Sequence, residues 1–319
     1  MSHPRLSIVV VNWNTRALVA RCLGSVRRTA RDLGVEILVV DNASTDGSPE
    51  LISEAFPEVC LLPQCENLGF ARAVNAALRV ATGTLVLLLN SDTLVPPGAL
   101  ARCVSALEED PGVDVLGCRL VGEDGRVQSS CGLFPSLRTL WWQNAFSVVF
   151  RLLGPRPVRG LSRLTGIPVM PVKALVPLWD PHRSADVDWV SGAFLLTRRE
   201  VFDRVGGMDE AFWLFGEDID WCRRVRLSGG RVRYFGGAEV MHVGGGSTAE
   251  RVESDLRHYR ASVRLYRKHH GRFQAAVYRS VLAACAGFRL VGWVLARAAG
   301  RGSRQFRDRV AREWALIRL

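Results

Sequence analysis

The chain has 319 residues, 48% of them apolar, enough for a globular protein of one large domain or a domain with an appendage. Its eight cysteines form no CxxC pair and no regular spacing, which excludes a zinc ribbon or a disulfide framework and points to a reducing cytoplasm. The formal charge of +11 is confined to the tail, where residues 251–319 carry 16 Lys/Arg against 4 Asp/Glu while residues 1–250 carry 26 against 27. That asymmetry suggests an anionic partner for the tail, nucleic acid or an acidic membrane surface, or else a solvated basic helix pair.

At the N-terminus, MSHPRLSIVVVNWN has too short an apolar run, with Pro4 beside it, for a signal peptide, and it predicts a first strand over 6–13. An amphipathic helix over 15–30, a strand over 35–42 and a short helix over 48–56, begun by Ser48 with Pro49 at its first position, follow. Next come a short strand over 59–64, a helix over 69–81 that Gly83 can stop, and the nearly all-apolar strand TLVLLLNSD over 84–92. Continuously apolar strands separated by helices imply an α/β fold with a mostly parallel sheet covered on both faces, and such sheets bind ligands at the carboxyl ends of their strands. Three of these strands end in polar residues: Asn12 and Asn14; Asp41 and Asn42; Asn90, Ser91 and Asp92. Their convergence predicts one site at one sheet edge.

Residues 133–187 hold seven of the fourteen prolines together with Trp141, Trp142, Phe146, Phe150 and Trp179, and predict an irregular insertion, a lid or acceptor platform. In the block 187–248, AFLLT is strand-like, REVFDRV and EDIDWCRRVRLSG are helical, and RVRYFGGAEVMHV predicts a strand pair or an extended segment. The tail is helical in character. Between 275 and 300 its apolar stretch is interrupted by Arg279 and Arg289, leaving runs too short for a spanning helix of about 20 residues. Arg272, Arg279 and Arg297 fall on one side and Val281, Ala284, Cys285, Phe288, Val291 and Leu295 on the other. This pattern fits a helix lying in a membrane interface with Trp293 at headgroup level, and equally one docked on the protein's own core.

Asp92, at the end of an apolar strand, suits either a turn or a hard divalent cation that grips a diphosphate. Glu217 and Asp218 open a helix amid Trp213, Phe215 and Trp221; they complement the helix dipole, or one of them takes a proton from a hydroxyl nucleophile. His242 closes an alternating apolar run and precedes three glycines, either packed or open to a phosphate or metal. Strand-end acids repel a nucleic-acid backbone, so no nucleic-acid partner is expected.

In order, VVVNWN, VVDNASTDGS, ENLGFARAVNAAL, LLLNSDT, SGAFLLTRREVFDRVGGMDEAFWLFGEDIDW and VMHVGGGST resemble the family 2 nucleotide-sugar glycosyltransferases over roughly residues 5–248. Within that family they are similar to the bacterial rhamnosyltransferase branch, which builds cell-wall linkers and O-antigen-type polysaccharides. The resemblance implies a GT-A (Rossmann-like) fold over 1–250, with the basic helical tail 251–319 appended, and an inverting displacement aided by a divalent metal, Mn or Mg. It assigns Val11, Asn12, Asn14, Asp41, Asn67, Gly69, Arg72, Asn90, Ser91 and Asp92 to the nucleotide-sugar. Among these, Asp41 meets base and ribose, Asn67, Gly69 and Arg72 form the N.G..R segment beside the nucleotide, and Asp92 is the last acid of a DXD-type motif. It makes Asp218 the general base, with Glu217 beside it, places His242 with Asp92 at the metal, and puts Ser191, Gly192, Trp213 and Phe215 around sugar and acceptor. Asn90 stands where the DXD-type motif has its first Asp, which leaves metal binding to Asp92, His242 and the diphosphate; the rhamnosyltransferase branch commonly has Asn there. The implied reaction moves L-rhamnose from dTDP-rhamnose onto a lipid-linked or polysaccharide acceptor, on the inner face of the cytoplasmic membrane. A UDP-hexose or UDP-hexosamine donor, or a non-catalytic sugar-nucleotide-binding partner of a polysaccharide complex, are the alternatives.

Overall fold

The computed structural model describes residues 4–141, 180–244 and 248–298, together with 156, 157, 161, 310, 311, 313, 314 and 317. Strands β1 (Leu6–Asn12), β2 (Val35–Asp41), β3 (Val59–Pro63) and β4 (Leu85–Asn90) alternate with helices α1 (Arg16–Thr29), α2 (Ser48–Ala55) and α3 (Gly69–Leu78). There follow β5 (Thr93–Leu94), α4 (Ala99–Glu109), β6 (Val115–Val121), β7 (Cys131–Gly132), β8 (Ala185–Val187), β9 (Trp189–Val190) and β10 (Phe194–Arg198). The remaining elements are α5 (Arg199–Val205), α6 (Glu217–Leu227), β11 (Val232–His242) and α7 (Thr248–Ala298).

The principal sheet runs β3-β2-β1-β4-β10-β6-β11-β5, with β8 added against β11. β3, β2, β1 and β4 are parallel neighbours, as is β6 to β11, while β10 runs antiparallel between β4 and β6. Of the two forms expected of RVRYFGGAEVMHV, a strand pair or an extended segment, the chain takes the second as one long strand, β11, whose register slips between Phe235 and Glu239. That bulge lets its far end pair with β5, His242 opposite Thr93. α3 ends at Leu78, short of the expected 81.

Successive side chains of a strand point to opposite faces, and the core divides accordingly. Leu6, Ile8, Val10, Leu87 and Leu89 pack with Val19 and Leu23 of α1 and Leu100 and Val104 of α4. Val9, Val86 and Leu88 pack with Val74 and Ala77 of α3 and Trp221 and Cys222 of α6. Both faces are therefore covered, which is why these strands read as unbroken apolar runs.

The chain divides into two compact units. The first comprises the described residues up to Phe134, those between Gly154 and Trp213, and Glu217–Gly244; the second comprises those of Pro135–Leu153, Leu214–Gly216 and the stretch from Gly245 onward. In the second, α7 is broken at Gly271, whose φ of 84° is left-handed and suits a residue without Cβ. Tyr266 stacks on Tyr278 across the break, with ring centroids 4.4 Å apart, beside buried Ala275 and Leu282. Arg289 pairs with buried Glu313 at 2.8 Å. Among the described residues no helix is long and apolar enough to cross a membrane. Most of the insertion expected over 133–187, including Trp142, Phe146, Phe150 and Trp179, and two of the glycines after His242, Gly245 and Gly246, lie outside the described residues.

Candidate active site

Parallel register sets Asn12 level with Asp41 and Val11 level with Asn90, so three strand ends meet at one edge. Asp41 is only 1% exposed there, and a buried carboxylate has to be compensated. Asn12 Nδ2 donates to Oδ1 at 2.7 Å, Ser44 Oγ donates to the same oxygen at 2.7 Å, and Ser44 N donates to Oδ2 at 2.9 Å. Thr15 Oγ1 donates to Asn12 Oδ1 at 2.6 Å and lies 3.0 Å from Ser91 Oγ, joining the third strand end to the other two. Asn14, at φ 51°, accepts from Thr45 N at 2.7 Å and so laces the β1 turn to the β2 turn, with exposed Trp13 between Asn12 and Asn14. A carboxylate offers about four lone-pair positions, three of which Asp41 uses on Asn12 and Ser44, leaving one for a ligand's hydroxyl or N–H. Next to it, Asn42 Nδ2 donates to Gly69 O at 3.3 Å while its Oδ1 is buried without a partner.

One residue beyond Ser91, Asp92 faces His242. Gln128, which drew no functional expectation from sequence, organises the pair. Its Nε2 donates to His242 O at 2.7 Å, so its Oε1 turns to His242 Nδ1, also at 2.7 Å. Nδ1 therefore carries hydrogen, and Nε2 points at Asp92 Oδ1 and at Asn90 Nδ2, 3.3 Å from each. Gly244 N donates to Asp92 Oδ2 at 3.1 Å. Burial opposes charge on Asp92, but the hydrogen bond and charge of His242, with backbone N–H groups, outweigh it and hold its carboxyl below the ordinary range. An imidazole lone pair and a carboxylate oxygen at this separation are satisfied by a cation between them, a proton or a divalent metal. Among the described residues no three His, Cys, Asp or Glu side chains cluster. Asp92 and His242 are the two side chains here that would hold a divalent cation.

The third group approaches along β10. Asn90 N donates to Ala193 O at 3.2 Å, and Gly192, one residue earlier, donates its N–H to Asp218 Oδ2 at 3.0 Å. Asp218 Oδ1 accepts from Ile219 N at 2.8 Å. Asp218 is half-buried at the start of α6, with a backbone N–H donor on each carboxylate oxygen. Glu217 differs: it is 5% exposed, its Oε2 has no hydrogen-bond partner among the described residues, and burial together with the neighbouring Asp218 charge pushes its carboxyl well above the ordinary range. Side by side, Asp218 is a half-buried carboxyl held by backbone donors and Glu217 a buried one. Trp221, expected as part of the wall around them, is instead core, packed on Phe202 at 4.4 Å between centroids and donating its indole N–H to Gly206 O at 2.9 Å.

The sugar-pocket expectations divide. Gly192 faces the Phe70 ring and Asp218, and Ser191 Oγ accepts from Ala193 N at 3.2 Å. Half-exposed Trp213 leads towards α3, where Phe70 N donates to its carbonyl at 2.8 Å. Gly69, at φ 77°, lies so close that a Cβ there would sit 2.4 Å from Trp213 O, and Gly69 N donates to Asn67 Oδ1 at 2.9 Å. Only glycine fits. Phe215, at φ 70°, belongs to the second unit, its ring 4.5 Å from that of His258. Arg72 points elsewhere, pairing with Glu210 at 3.5 Å, and joins none of the strand-end groups.

A covered, mostly parallel sheet with acids and a histidine gathered at its carboxyl edge is the architecture of the GT-A glycosyltransferases. A mannosyltransferase from Pyrobaculum calidifontis, solved in complex with GDP-Man and Mn2+, superposes with a TM-score of 0.54 at 20% identity, covering 99% of this chain and 86% of that one. Residues 7–151 match the family described as Glycosyl transferase family 2, and residues 165–261 match Glycosyltransferase like family 2. The chain belongs to glycosyltransferase family 2 and is a glycosyltransferase. Within that family it is similar to the N-acetylglucosaminyl-diphospho-decaprenol L-rhamnosyltransferase of Mycobacterium tuberculosis, 29% identical over 82% of this chain and 83% of the relative. It is also similar to an O-antigen biosynthesis protein of Myxococcus xanthus, 28% identical over 72% of this chain and 16% of the relative.

Proposed function

We propose that the protein is an inverting transferase that moves L-rhamnose from dTDP-rhamnose onto a lipid-linked acceptor in cell-envelope glycan synthesis, working peripherally at the inner face of the cytoplasmic membrane. The observation that carries the catalytic part is Asp218, a half-buried carboxylate joined to the Asn90–Asp92 edge through Gly192 N and Ala193 O. In this reading Asp218 takes the proton of the acceptor hydroxyl as its oxygen bonds to the anomeric carbon, and the bond from that carbon to the diphosphate breaks. Burial favours the protonated form of Glu217, which in this reading takes no proton from the acceptor. Val11, Asn12, Asn14, Asp41, Asn67, Gly69 and Ser91 form the donor's bed, and Arg72 reaches it only by leaving Glu210. Asp92 and His242 would hold a divalent cation, which when bound offsets charge on the departing diphosphate. Ser191, Gly192 and Trp213 border the sugar. The similarity, over 82% of this chain and 83% of the relative, to a rhamnosyltransferase named for a decaprenyl diphosphate acceptor supports the choice of donor sugar and acceptor.

Two measurements test this. Offered single donors with manganese, the enzyme should release dTDP from dTDP-rhamnose faster than UDP from UDP-hexoses or UDP-hexosamines; the reverse order would favour the UDP-sugar reading. Gln128→Leu should weaken manganese affinity by about 10–100-fold, because the partner that orients a ligating histidine is worth that much. Unchanged affinity by calorimetry would remove His242 from the metal shell.

A further inference from the structure

Past Gly271, α7 presents three faces. Ala275, Tyr278, Leu282 and Ala286 are buried, and Arg272, Arg279 and Arg297 are exposed. Phe273 is 81% exposed and Phe288 83%, with Val291 and Val294 also exposed. At about 100° per residue, Phe273, Val281, Ala284, Phe288 and Val291 fall within an arc of about 80°, with the three arginines roughly opposite Phe288. The stripe runs for about 27 Å along the helix. A contiguous apolar strip of that length is not an ordinary solvated surface. A second copy of the chain would bring together two tails of net +12 each, which repel, whereas anionic headgroups would neutralise them.

We propose that this face of α7 lies in the interface of an anionic lipid bilayer. Phe273, Phe288 and Val291 enter the boundary between headgroups and acyl chains, and Arg272, Arg279 and Arg297 ride about a helix diameter above it, within reach of the surface potential. The helix lies in the surface and does not cross it, since no described helix is apolar enough to span. The inference rests on the proposed reading for its purpose, because a lipid-linked acceptor is met at such a surface.

The test is flotation of the full-length protein with vesicles of phosphatidylcholine alone or mixed with phosphatidylglycerol, at low and high salt. Wild-type protein should float with the anionic vesicles, about tenfold less with neutral ones, and detach at high salt. Phe288→Asp combined with Val291→Asp should lose at least about tenfold of that binding, with helical circular dichroism and transfer to a water-soluble acceptor retained. Arg272→Glu with Arg279→Glu should abolish the preference for anionic vesicles without touching the apolar stripe. Equal flotation of the aspartate variant, equal binding to both vesicle types, or a wild-type dimer that the aspartate variant splits would overturn the inference. Vesicle binding without transfer from any donor would count against the proposed reaction and leave this inference standing.

Discussion

Asp218→Asn lowers kcat by about 10²–10⁴-fold while donor affinity stays close to wild type, the expected result when a general base is replaced by an isostere that cannot accept a proton. Asparagine keeps an oxygen for Gly192 N, so the β10–α6 junction persists and the loss is chemical. The neighbouring acid provides the control. Glu217 is buried with its carboxyl pushed well above the ordinary range, chiefly by burial and then by the Asp218 charge, which favours its protonated form. Glu217→Gln mimics that form and should retain most of its turnover. A carboxyl with a raised folded pKa costs stability as pH climbs from its unfolded value towards its folded one, and above the folded value the cost is complete. Glu217→Gln should therefore melt at or above the wild-type temperature in alkaline buffer and show no advantage in acid. Turnover kept by Asp218→Asn and lost by Glu217→Gln would exchange the two roles.

Asp92→Asn should reduce manganese affinity by at least about 100-fold, since a direct ligand is worth no less than the partner that orients one. The amide preserves the shape of the turn and an acceptor for Gly244 N, but it leaves His242 Nε2 beside a neutral group. Manganese titration followed by electron spin resonance reads the affinity directly, and raising the metal concentration should restore part of kcat/KM. Undiminished manganese binding would move the metal away from the Asp92–His242 pair.

The donor edge was legible in sequence because a parallel sheet covered on both faces forces apolar runs to stop at the same edge, leaving Asn12, Asp41 and Asn90–Asp92 together. What those residues do to one another was not legible. Asp41 reads as a group waiting for a ligand, yet Asn12 and Ser44 already satisfy most of it, a consequence of two turns folding against each other. Gln128 follows no periodic pattern, and its grip on His242 depends on the bulge at 236–238 that carries the end of β11 back to β5. No element was predicted between 93 and 132, where α4 and β6 lie; β6 is interrupted by Gly117 and Arg119 and gains its place only by pairing with β10 and β11. Trp221 misled because its helical spacing from the acids suggests proximity while the space it fills is the core beside Phe202. The tail stripe that reads either as a membrane-interface face or as a face docked on the protein's own core has Phe288 and Val291 exposed; the flank that buries Tyr278 and Leu282 is a different one.

The most direct test of the central claim is to incubate the enzyme with dTDP-rhamnose, manganese and a polyprenyl-diphosphate-linked N-acetylglucosamine, then examine the lipid by mass spectrometry and NMR. The account predicts an acceptor heavier by one deoxyhexose, with the anomeric configuration inverted relative to the donor, and no such product from Asp218→Asn. Retention of configuration, or no transfer from any nucleotide-sugar offered, would contradict it.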